Sequence, residues 1–190
     1  MDYLNYITEY FERVKQTLDK VSKDDLNHLM NILNEARDTR HTIFICGNGG
    51  SAATASHFCC DFNKGISAEQ SSKFRFICLN DNVPTMMAYA NDVSYEEVFV
   101  GPLRNLFSPG DYVIGISGSG NSRNVVKAIE YANEYGGISI GLTGYDGGRV
   151  KQLARYNVNV PIHDMQVSED IHMLLDHCIM SILSRCGEAR

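Results

Sequence analysis

The amino-acid sequence predicts an α/β fold, a three-layer α/β/α sandwich around a five-stranded parallel sheet. Short apolar runs alternate with longer segments of helical periodicity, which is the pattern of repeated strand–helix units. The runs are apolar at nearly every position, so helices are expected to cover both faces of the sheet. The 190 residues and the hydrophobic fraction of 44% suit one domain, residues 1–190, with flavodoxin-like strand order.

Two helices are expected before the first strand, within residues 1–40. Apolar side chains recur at a helical period through about the first 20 residues. Ser22, with Asp25 three residues later, predicts the N-cap of a second helix that ends near Arg37. The aromatic face of the first helix suits either a partner subunit or the chain's own domain, and the sequence leaves both interpretations open.

The remaining elements are separated by clusters of glycine, proline and asparagine. The five strands are expected at residues 42–46, 74–79, 112–116, 138–142 and 157–161. Helices are expected to begin at the N-cap Ser51 and to span residues 84–91, 95–107, 123–135 and about 168–185, with a short helix after Gly148. A polar connection is expected at residues 65–72.

Composition narrows the choice of partners and compartment. The formal net charge is −6 and there is no basic stripe, so no nucleic-acid partner is expected. No apolar run has membrane-spanning length and the first 20 residues are too polar for a signal peptide, so a cytoplasmic protein without a membrane partner is expected. The six cysteines show no CxxC spacing, which favours reduced thiols over disulfides.

The junction between the first strand and its helix has the composition of an anion site. The apolar strand is followed by Gly47, and Gly49 and Gly50 then let backbone amides face a ligand. Ser51 is the expected N-cap of a helix whose first amides are unpaired and whose dipole is positive at this end. The turn therefore predicts a phosphate site.

A second turn of the same chemistry follows the third strand. It reads Ser117-Gly118-Ser119-Gly120-Asn121-Ser122, with three hydroxyls and two glycines. Serine hydroxyls and turn amides can together hold a phosphate without Lys or Arg. Serine and glycine also fill ordinary loops, but two such turns after neighbouring strands favour a ligand site at the carboxyl edge of the sheet.

The first turn also fits the relaxed dinucleotide fingerprint Gly-x-Gly-x-x-Ala. That interpretation requires an acidic residue about twenty positions later, at the end of the next strand. Glu69 has nearly this spacing but precedes the strand, and Asp81 ends the strand but lies too far along. A dinucleotide site is therefore the weaker interpretation.

Two helices supply the candidate reactive groups. His57 and Asp61 are four residues apart and share a helix face, which suits a metal site or an acid/base pair, although such pairs are also common on surfaces. The last helix adds Glu169, His172, Asp176 and His177, of which His172 and Asp176 are expected to be merely solvated. Glu169 and His177 are separated by a rise of about 12 Å, so a metal site that uses both would need a neighbouring subunit.

Four segments together resemble the sugar isomerase (SIS) fold and, within it, the phosphoheptose isomerases. They are Gly47-Asn48-Gly49-Gly50-Ser51-Ala52-Ala53 with His57, Asn91-Asp92 with Tyr95 and Phe99, Ile116 to Ser122, and Glu169-Asp170-Ile171-His172 with His177. The resemblance covers nearly the whole chain. It implies a ketose–aldose isomerase that converts sedoheptulose 7-phosphate to an aldose heptose phosphate through an enediol, and a homotetramer with sites between subunits.

The resemblance also implies roles for individual residues. Substrate contacts are expected from Asn48, Gly49, Gly50, Ser51, Asn91, Asp92, Ser117, Gly118, Ser119, Ser122 and Glu169, of which the serines hold the phosphate. A metal site, most suited to Zn²⁺, is expected at His57, Asp61, Glu169 and His177, with Asp61 and His177 as proton carriers. Iron, manganese and nickel remain alternatives.

Several positions depart from the family pattern. Asp61 replaces a Glu, Glu169 replaces a Gln, Gly65 stands where the family has Arg, and Gly118 stands where Thr is usual. These departures leave open an isomerase for another sugar phosphate, for example one with eight carbons. A non-catalytic SIS protein is also open, either a phosphosugar-binding protein or a scaffold like the replication regulators. The presence of both histidines with two carboxylates favours the enzyme.

Overall fold

The computed structural model describes residues 1–187 and confirms the predicted fold. Within these residues, five parallel strands form one sheet: β1 (Ile43–Gly47), β2 (Phe76–Cys78), β3 (Tyr112–Ser117), β4 (Ile138–Thr143) and β5 (Tyr156–Asn159). Their order is β2-β1-β3-β4-β5, the flavodoxin-like order. Each strand begins and ends within two residues of its predicted bounds.

Eight α-helices accompany the sheet in the described part of the chain: α1 (Leu4–Leu18), α2 (Lys23–Asp38), α3 (Gly50–Cys60), α4 (Val83–Asp92), α5 (Val100–Leu106), α6 (Arg123–Glu134), α7 (Gly148–Leu153) and α8 (Met165–Gly187). A π-helical turn at Asp61–Ile66 continues α3 into the segment predicted as a polar connection. The predicted cap of α2 is present, since the Ser22 hydroxyl accepts a hydrogen bond from the Asp25 amide at 3.1 Å.

Two predicted helix boundaries are wrong. Ser51 is not the N-cap of α3; Gly49 is, with φ of +56°, so the glycine pair completes the turn before Ser51. The predicted helix 95–107 is divided into a 3₁₀ turn at Tyr95–Glu97 and α5. Pro102 accounts for the break. Proline has no amide hydrogen to donate to the residue four positions earlier, so it can lie only in the first turn of a helix.

Alternate side chains of each strand point to opposite layers of helices. On one face Ile43 and Ile45 pack in a core with α2, α3 and α8, and on the other Phe44 and Cys46 pack in a core with α5, α6 and α7. Both faces of the sheet are therefore covered. This explains why the strands are apolar at nearly every position.

The strand register places the two candidate turns side by side. β1 pairs with β3 in parallel, with Gly47 opposite Ile116, so the chain leaves both strands at the same edge. The order reverses between these strands, because β2 lies on one side of β1 and β3 on the other. Ligands of open α/β sheets bind at such a point.

The first helix carries an exposed apolar face. Its aromatic and aliphatic side chains are 47% to 70% exposed at Tyr3, Leu4, Tyr6, Ile7 and Phe11. α1 also contacts the last helix, where Tyr10 donates to Asp170, and Arg13 pairs with Asp164 just before that helix. Among residues 1–187 every helix is too short or too polar to cross a bilayer.

Candidate active site

The start of the turn after β1 is fixed by a side chain that follows the neighbouring strand β2. Asn80 accepts a hydrogen bond from the Gly47 amide at 3.2 Å and donates to the Gly47 carbonyl at 2.9 Å. The amides of Gly50 and Ser51 precede the first intrahelical hydrogen bond of α3 and can donate to an anion. Asn80 is not among the residues predicted for the site, because only its position after β2 indicates this role.

Replacement of Asn80 by Ala should destabilise the fold. It would leave the Gly47 amide and carbonyl without their partners, and we expect the free energy of unfolding to fall by about 1–3 kcal/mol. Urea denaturation followed by circular dichroism measures this. Asn105→Ala, at an exposed position of α5, is the matched control and should change stability by less than about 0.5 kcal/mol. Equal stability of the two variants would contradict the role given to Asn80.

Asn48 is fixed by a hydrogen-bond network whose other members are not among the predicted phosphate or metal residues. Its amide exchanges hydrogen bonds with the buried Asn124 amide at 2.8 and 2.9 Å, and Tyr95 donates to its carbonyl oxygen at 2.9 Å. The Asn48 carbonyl oxygen therefore has two donors, while one N–H of its amide nitrogen remains for a ligand. Tyr95 links this turn to the segment that follows Asn91 and Asp92.

The serine turn after β3 is preformed. Ser117 Oγ donates to Ser122 Oγ at 3.1 Å and accepts from the Gly120 amide at 3.1 Å. Gly120 has φ of +67°, and a Cβ there would clash with the Gly147 carbonyl, so the turn requires glycine. Ser119 lies half-buried, and its hydroxyl accepts from the Asn121 amide at 3.2 Å. Hydroxyls and amides are thus concentrated beside the first turn.

Imidazoles and carboxylates of α3, of the π-helical turn that continues it and of α8 meet two to three helical turns beyond Gly50. The Nε2 atoms of His57 and His177 are 2.9 Å apart, and His57 Nε2 is 3.6 Å from Asp61 Oδ2. Asp176 joins them, and one ligand atom from each of the four residues lies within 4.8 Å of the others. The structure therefore brings together three of the four residues expected at the metal site, and adds Asp176.

Glu169, the fourth expected metal ligand, lies elsewhere on α8. Its carboxylate is packed against Gly50, so that a Cβ at Gly50 would clash with it. Glu169 therefore lies at the N-terminus of α3, beside the first turn, and is not among the four clustered residues. This position suits the substrate contact also expected of Glu169.

The expectation that His172 and Asp176 are solvated is wrong. Both side chains are fully buried on the face of α8 that packs into the domain. Burial lowers the pKa of His172 to about 4. Burial and the nearby Asp61 carboxylate raise the pKa of Asp176 to about 8. A histidine and an aspartate at these positions suggest a solvent-exposed face of the helix. However, each directly follows a buried apolar residue, Ile171 or Leu175, and lies on the same buried face of α8.

The other expected residues are less tightly placed. Asn91 and Asp92 are exposed at the end of α4, where the Asn91 amide donates to the Asp92 carboxylate at 2.8 Å. Gly118 is buried against Met165, and a Cβ at Gly118 would clash with the Met165 sulfur. Met165, the first residue of α8, thus occupies the space that a side chain at position 118 would need.

The clustered residues fit a divalent metal. Bonds of about 2.1 Å to a tetrahedral ion place ligand atoms about 3.4 Å apart, within the range that the four residues span. Two imidazoles and two carboxylates are a donor set that suits zinc. Asp176 also has two buried oxygens without a hydrogen-bond partner among residues 1–187, which a cation would satisfy.

Comparison with known proteins defines the class. The chain matches the model of the SIS domain family over residues 2–144 and belongs to that family. Within it the relatives are phosphoheptose isomerases: that of Aliarcobacter butzleri is 36% identical over 93% of this chain and 89% of its own length. That of Helicobacter pylori is 35% identical over 95% of both chains. The protein is thus a member of the phosphoheptose isomerases, a family of sugar-phosphate isomerases.

Solved structures agree with this assignment. The phosphoheptose isomerase of Neisseria gonorrhoeae superposes with a TM-score of 0.88 at 28% identity, covering 97% of this chain and all of its own. The sugar isomerase domain of a transcription factor from Sphaerobacter thermophilus has a TM-score of 0.67 at 16% identity, over 98% of this chain and 91% of its own. The second likeness shows the fold alone.

Proposed function

We propose that this protein interconverts sedoheptulose 7-phosphate and an aldose heptose 7-phosphate. The observation that carries the proposal is the arrangement along α3. The helix begins at the anion turn, and His57 and Asp61 follow two to three turns later. Gly50 and His57 are separated by a rise of about 10 Å, which suits an extended seven-carbon sugar phosphate. Its relatives of similar length carry the same activity in their names.

The phosphate end is assigned to the two turns. Ser51, Ser117, Ser119 and Ser122, with the amides of Gly49, Gly50 and Gly118, are proposed to hold the phosphate. The positive end of the α3 dipole adds to this attraction. Asn48, Glu169, Asn91 and Asp92 are proposed to contact the sugar hydroxyls. Of these, Asn48 has a free N–H and Glu169 lies at the turn.

The carbonyl end is assigned to Asp61 and His177. Asp61 takes a proton from C1 of the ketose at Oδ2 while the C2 oxygen gains a proton, which gives an enediol. Asp61 then returns its proton to C2, and the C1 hydroxyl loses one as the aldehyde forms. His177 is the second proposed proton carrier and serves the sugar oxygens at Nδ1, because its Nε2 faces His57 and would be taken by the proposed metal. No proton is gained or lost overall.

We propose a divalent metal, most suited to Zn²⁺, held by His57 and His177 together with carboxylates of the cluster. When bound, it would stabilise negative charge that develops on the sugar oxygens. The residues around it hold and orient the sugar and keep Asp61 close to C1 and C2. Glu169 as a further metal ligand remains a prediction from the family pattern.

A panel assay tests the proposed activity. The purified protein is incubated with seven- and eight-carbon ketose phosphates in the presence of Zn²⁺, Mn²⁺, Fe²⁺ or Ni²⁺, and aldose formation is followed by NMR. We expect turnover of sedoheptulose 7-phosphate. Turnover of an eight-carbon ketose phosphate alone would change the substrate assignment. No turnover with any of them would refute the isomerase and favour a non-catalytic phosphosugar-binding or scaffold protein.

We further propose that residues 1–190 act as one SIS domain in a cytoplasmic homotetramer whose sites are completed between subunits. The exposed apolar face of α1 supports an interface between copies, since contiguous apolar patches mark association sites. Free, buried thiols at Cys46, Cys59 and Cys78 are compatible with a reducing compartment.

Phe11→Glu should weaken this assembly. A charge in the centre of a buried apolar interface is costly, and we expect a shift from tetramer to smaller species at micromolar concentration. Light scattering coupled to size-exclusion chromatography measures the mass. Gln16→Glu, which adds the same charge on the opposite, exposed face of α1, should leave the mass unchanged. A Phe11→Glu variant of unchanged mass would argue against α1 as the interface.

A further inference from the structure

We infer that the protein has a second anion site, at the opposite edge of the sheet from the candidate active site. The site is a cavity of about 300 Å³ lined by three cationic side chains and two hydroxyls: Arg40, Lys73, Arg75, Ser71 and Ser72. We call this cavity the basic pocket and assign to it a small molecule that carries a diphosphate group. The inference does not depend on the proposed isomerase activity or on a metal.

The basic pocket is separated from the proposed phosphate turns by the length of a strand. Arg40 precedes β1, and Arg75 directly precedes β2, where its carbonyl accepts a hydrogen bond from the Ile43 amide at 2.9 Å. Both residues therefore lie at the amino ends of the strands, whereas the phosphate turns follow the carboxyl ends of β1 and β3. The five residues of β1 span about 16 Å, so one phosphate cannot contact both sites.

Backbone carbonyls hold two cations of the basic pocket in place without neutralising them. Arg75 donates from Nη1 to the Arg40 carbonyl at 2.9 Å, and Lys73 donates from Nζ to the Ser67 carbonyl. Within residues 1–187, the ion pairs include none of Arg40, Lys73 and Arg75. Each of these side chains keeps N–H groups for a ligand, because a guanidinium has five and an ammonium has three.

No carboxylate lines the basic pocket in the described part of the chain. The adjoining cavity, which shares Ser71 and Ser72 with it, contains Asp38, but that carboxylate is paired with Arg37 at 2.9 Å. The net charge of the whole chain is −6, so composition alone does not account for three cations in one cavity. A cleft with one sign of charge concentrates counter-ions, and an anion between like charges offsets their repulsion.

The donors and the size of the basic pocket favour a diphosphate. Guanidinium groups bind phosphate oxygens through two parallel hydrogen bonds, and serine hydroxyls add further donors. Three positive charges exceed the charge of about −2 on a phosphate monoester and match that of a diphosphate more closely. A cavity of about 300 Å³ is at the lower limit of small-molecule sites, and a nucleic-acid backbone would need a longer basic stripe.

The backbone of Arg40 gives independent support. Its φ of +60° lies in the left-handed region, which favours glycine and disfavours a long side chain. Such strain is retained mainly at functional sites. The strained turn also directs the Arg40 carbonyl to Arg75, so it places two guanidinium-bearing residues around one cavity.

Calorimetric titration with inorganic pyrophosphate tests the inference. The metal-free, full-length protein carries Ser119→Asp, which places a negative charge at the proposed phosphate turns and keeps pyrophosphate from them. We expect one pyrophosphate per protomer at low salt, with a dissociation constant below about 1 mM. Inorganic phosphate, which has less charge, should bind about tenfold more weakly. No pyrophosphate binding to this protein would overturn the inference, and phosphate binding of equal affinity would overturn the assignment of a diphosphate.

Two substitutions in the same background locate the bound anion. Arg40→Gly and Lys73→Gln each remove one of three positive charges and should weaken pyrophosphate binding by about tenfold or more. Lys23→Gln is the matched control. It removes the same charge from the other end of α2, a rise of about 22 Å from Asp38, and should change the affinity by less than about twofold. Unchanged affinity in both Arg40→Gly and Lys73→Gln would overturn the inference.

Stability and kinetics separate loss of the basic pocket from damage elsewhere. Arg40→Gly should unfold at a temperature no lower than the wild type, because glycine adopts a positive φ without strain. With Ser119 restored, Arg40→Gly should keep the KM for sedoheptulose 7-phosphate within about twofold, since the basic pocket lies away from the phosphate turns. A KM raised by about tenfold or more would contradict a separate second site. Pyrophosphate binding that depends on Arg40, without turnover of any ketose phosphate, would support the basic pocket and refute the proposed activity.

Discussion

Asp61→Asn is expected to lower kcat for sedoheptulose 7-phosphate by about a thousandfold, within the 10²–10⁴ range typical of general acid–base catalysis. The amide keeps the shape of the side chain but cannot accept the proton from C1. The KM should change much less, because the phosphate turns lie at the other end of α3. Steady-state kinetics with an NMR or coupled assay measure both constants.

Asp61→Glu is the matched control for this result. It keeps the carboxylate and restores the side-chain length that the family pattern has at this position. Because a misplacement of about 1 Å can cost about a hundredfold in rate, the variant also tests whether the site has adapted to Asp. We expect at least a tenth of the wild-type kcat. An Asp61→Asn variant that keeps a tenth of the activity would contradict Asp61 as the proton carrier.

Ser119→Asp is expected to raise KM by at least about a hundredfold. Like charges 4 Å apart at a partly exposed site repel by about 4 kcal/mol, and Ser119 lies at the proposed phosphate site. The half-buried position and the hydrogen bond from the Asn121 amide should tolerate a carboxylate, so the fold should persist. Initial rates over a series of substrate concentrations give KM, and the comparison of low and high salt gives the electrostatic contribution to it.

Ser119→Asn provides the neutral comparison of nearly the same shape. It should raise KM by about tenfold or less, since one hydroxyl is lost without adding a charge. The difference between the two variants isolates the electrostatic effect of a negative phosphate. Equal KM values for the Asp and Asn variants would place the phosphate away from the serine turn.

The fold was predictable because its signals are local. Each strand is an apolar run of a few residues, and each ends at a glycine, proline or asparagine cluster. Strand order followed from the same pattern, since strand–helix repeats of this kind have few solutions. Prediction from apolar periodicity fails at Pro102. The pattern of residues 95–107 predicts one helix, but a continuous helix cannot accommodate this proline, and the segment is divided in two.

The contents of the site were predictable only in part. His57 and Asp61 are indicated by type and spacing, the family resemblance adds His177, and the structure brings the three together. The burial of Asp176 depends on how α8 packs against α3, which helical spacing alone does not determine. The roles of Asn80 and Asn124 could not be predicted, because a single asparagine forms no recognisable sequence motif. Their hydrogen bonds also join segments that are distant in the chain.

The most direct test of the account is a crystal structure of the Asp61→Asn variant with sedoheptulose 7-phosphate bound. We predict the phosphate between the amides of Gly50 and Ser51 and the hydroxyls of the serine turn, with C1 and C2 of the sugar beside His177 and the substituted side chain at position 61. A phosphate bound outside both turns, or a sugar directed away from His57 and His177, would contradict the account.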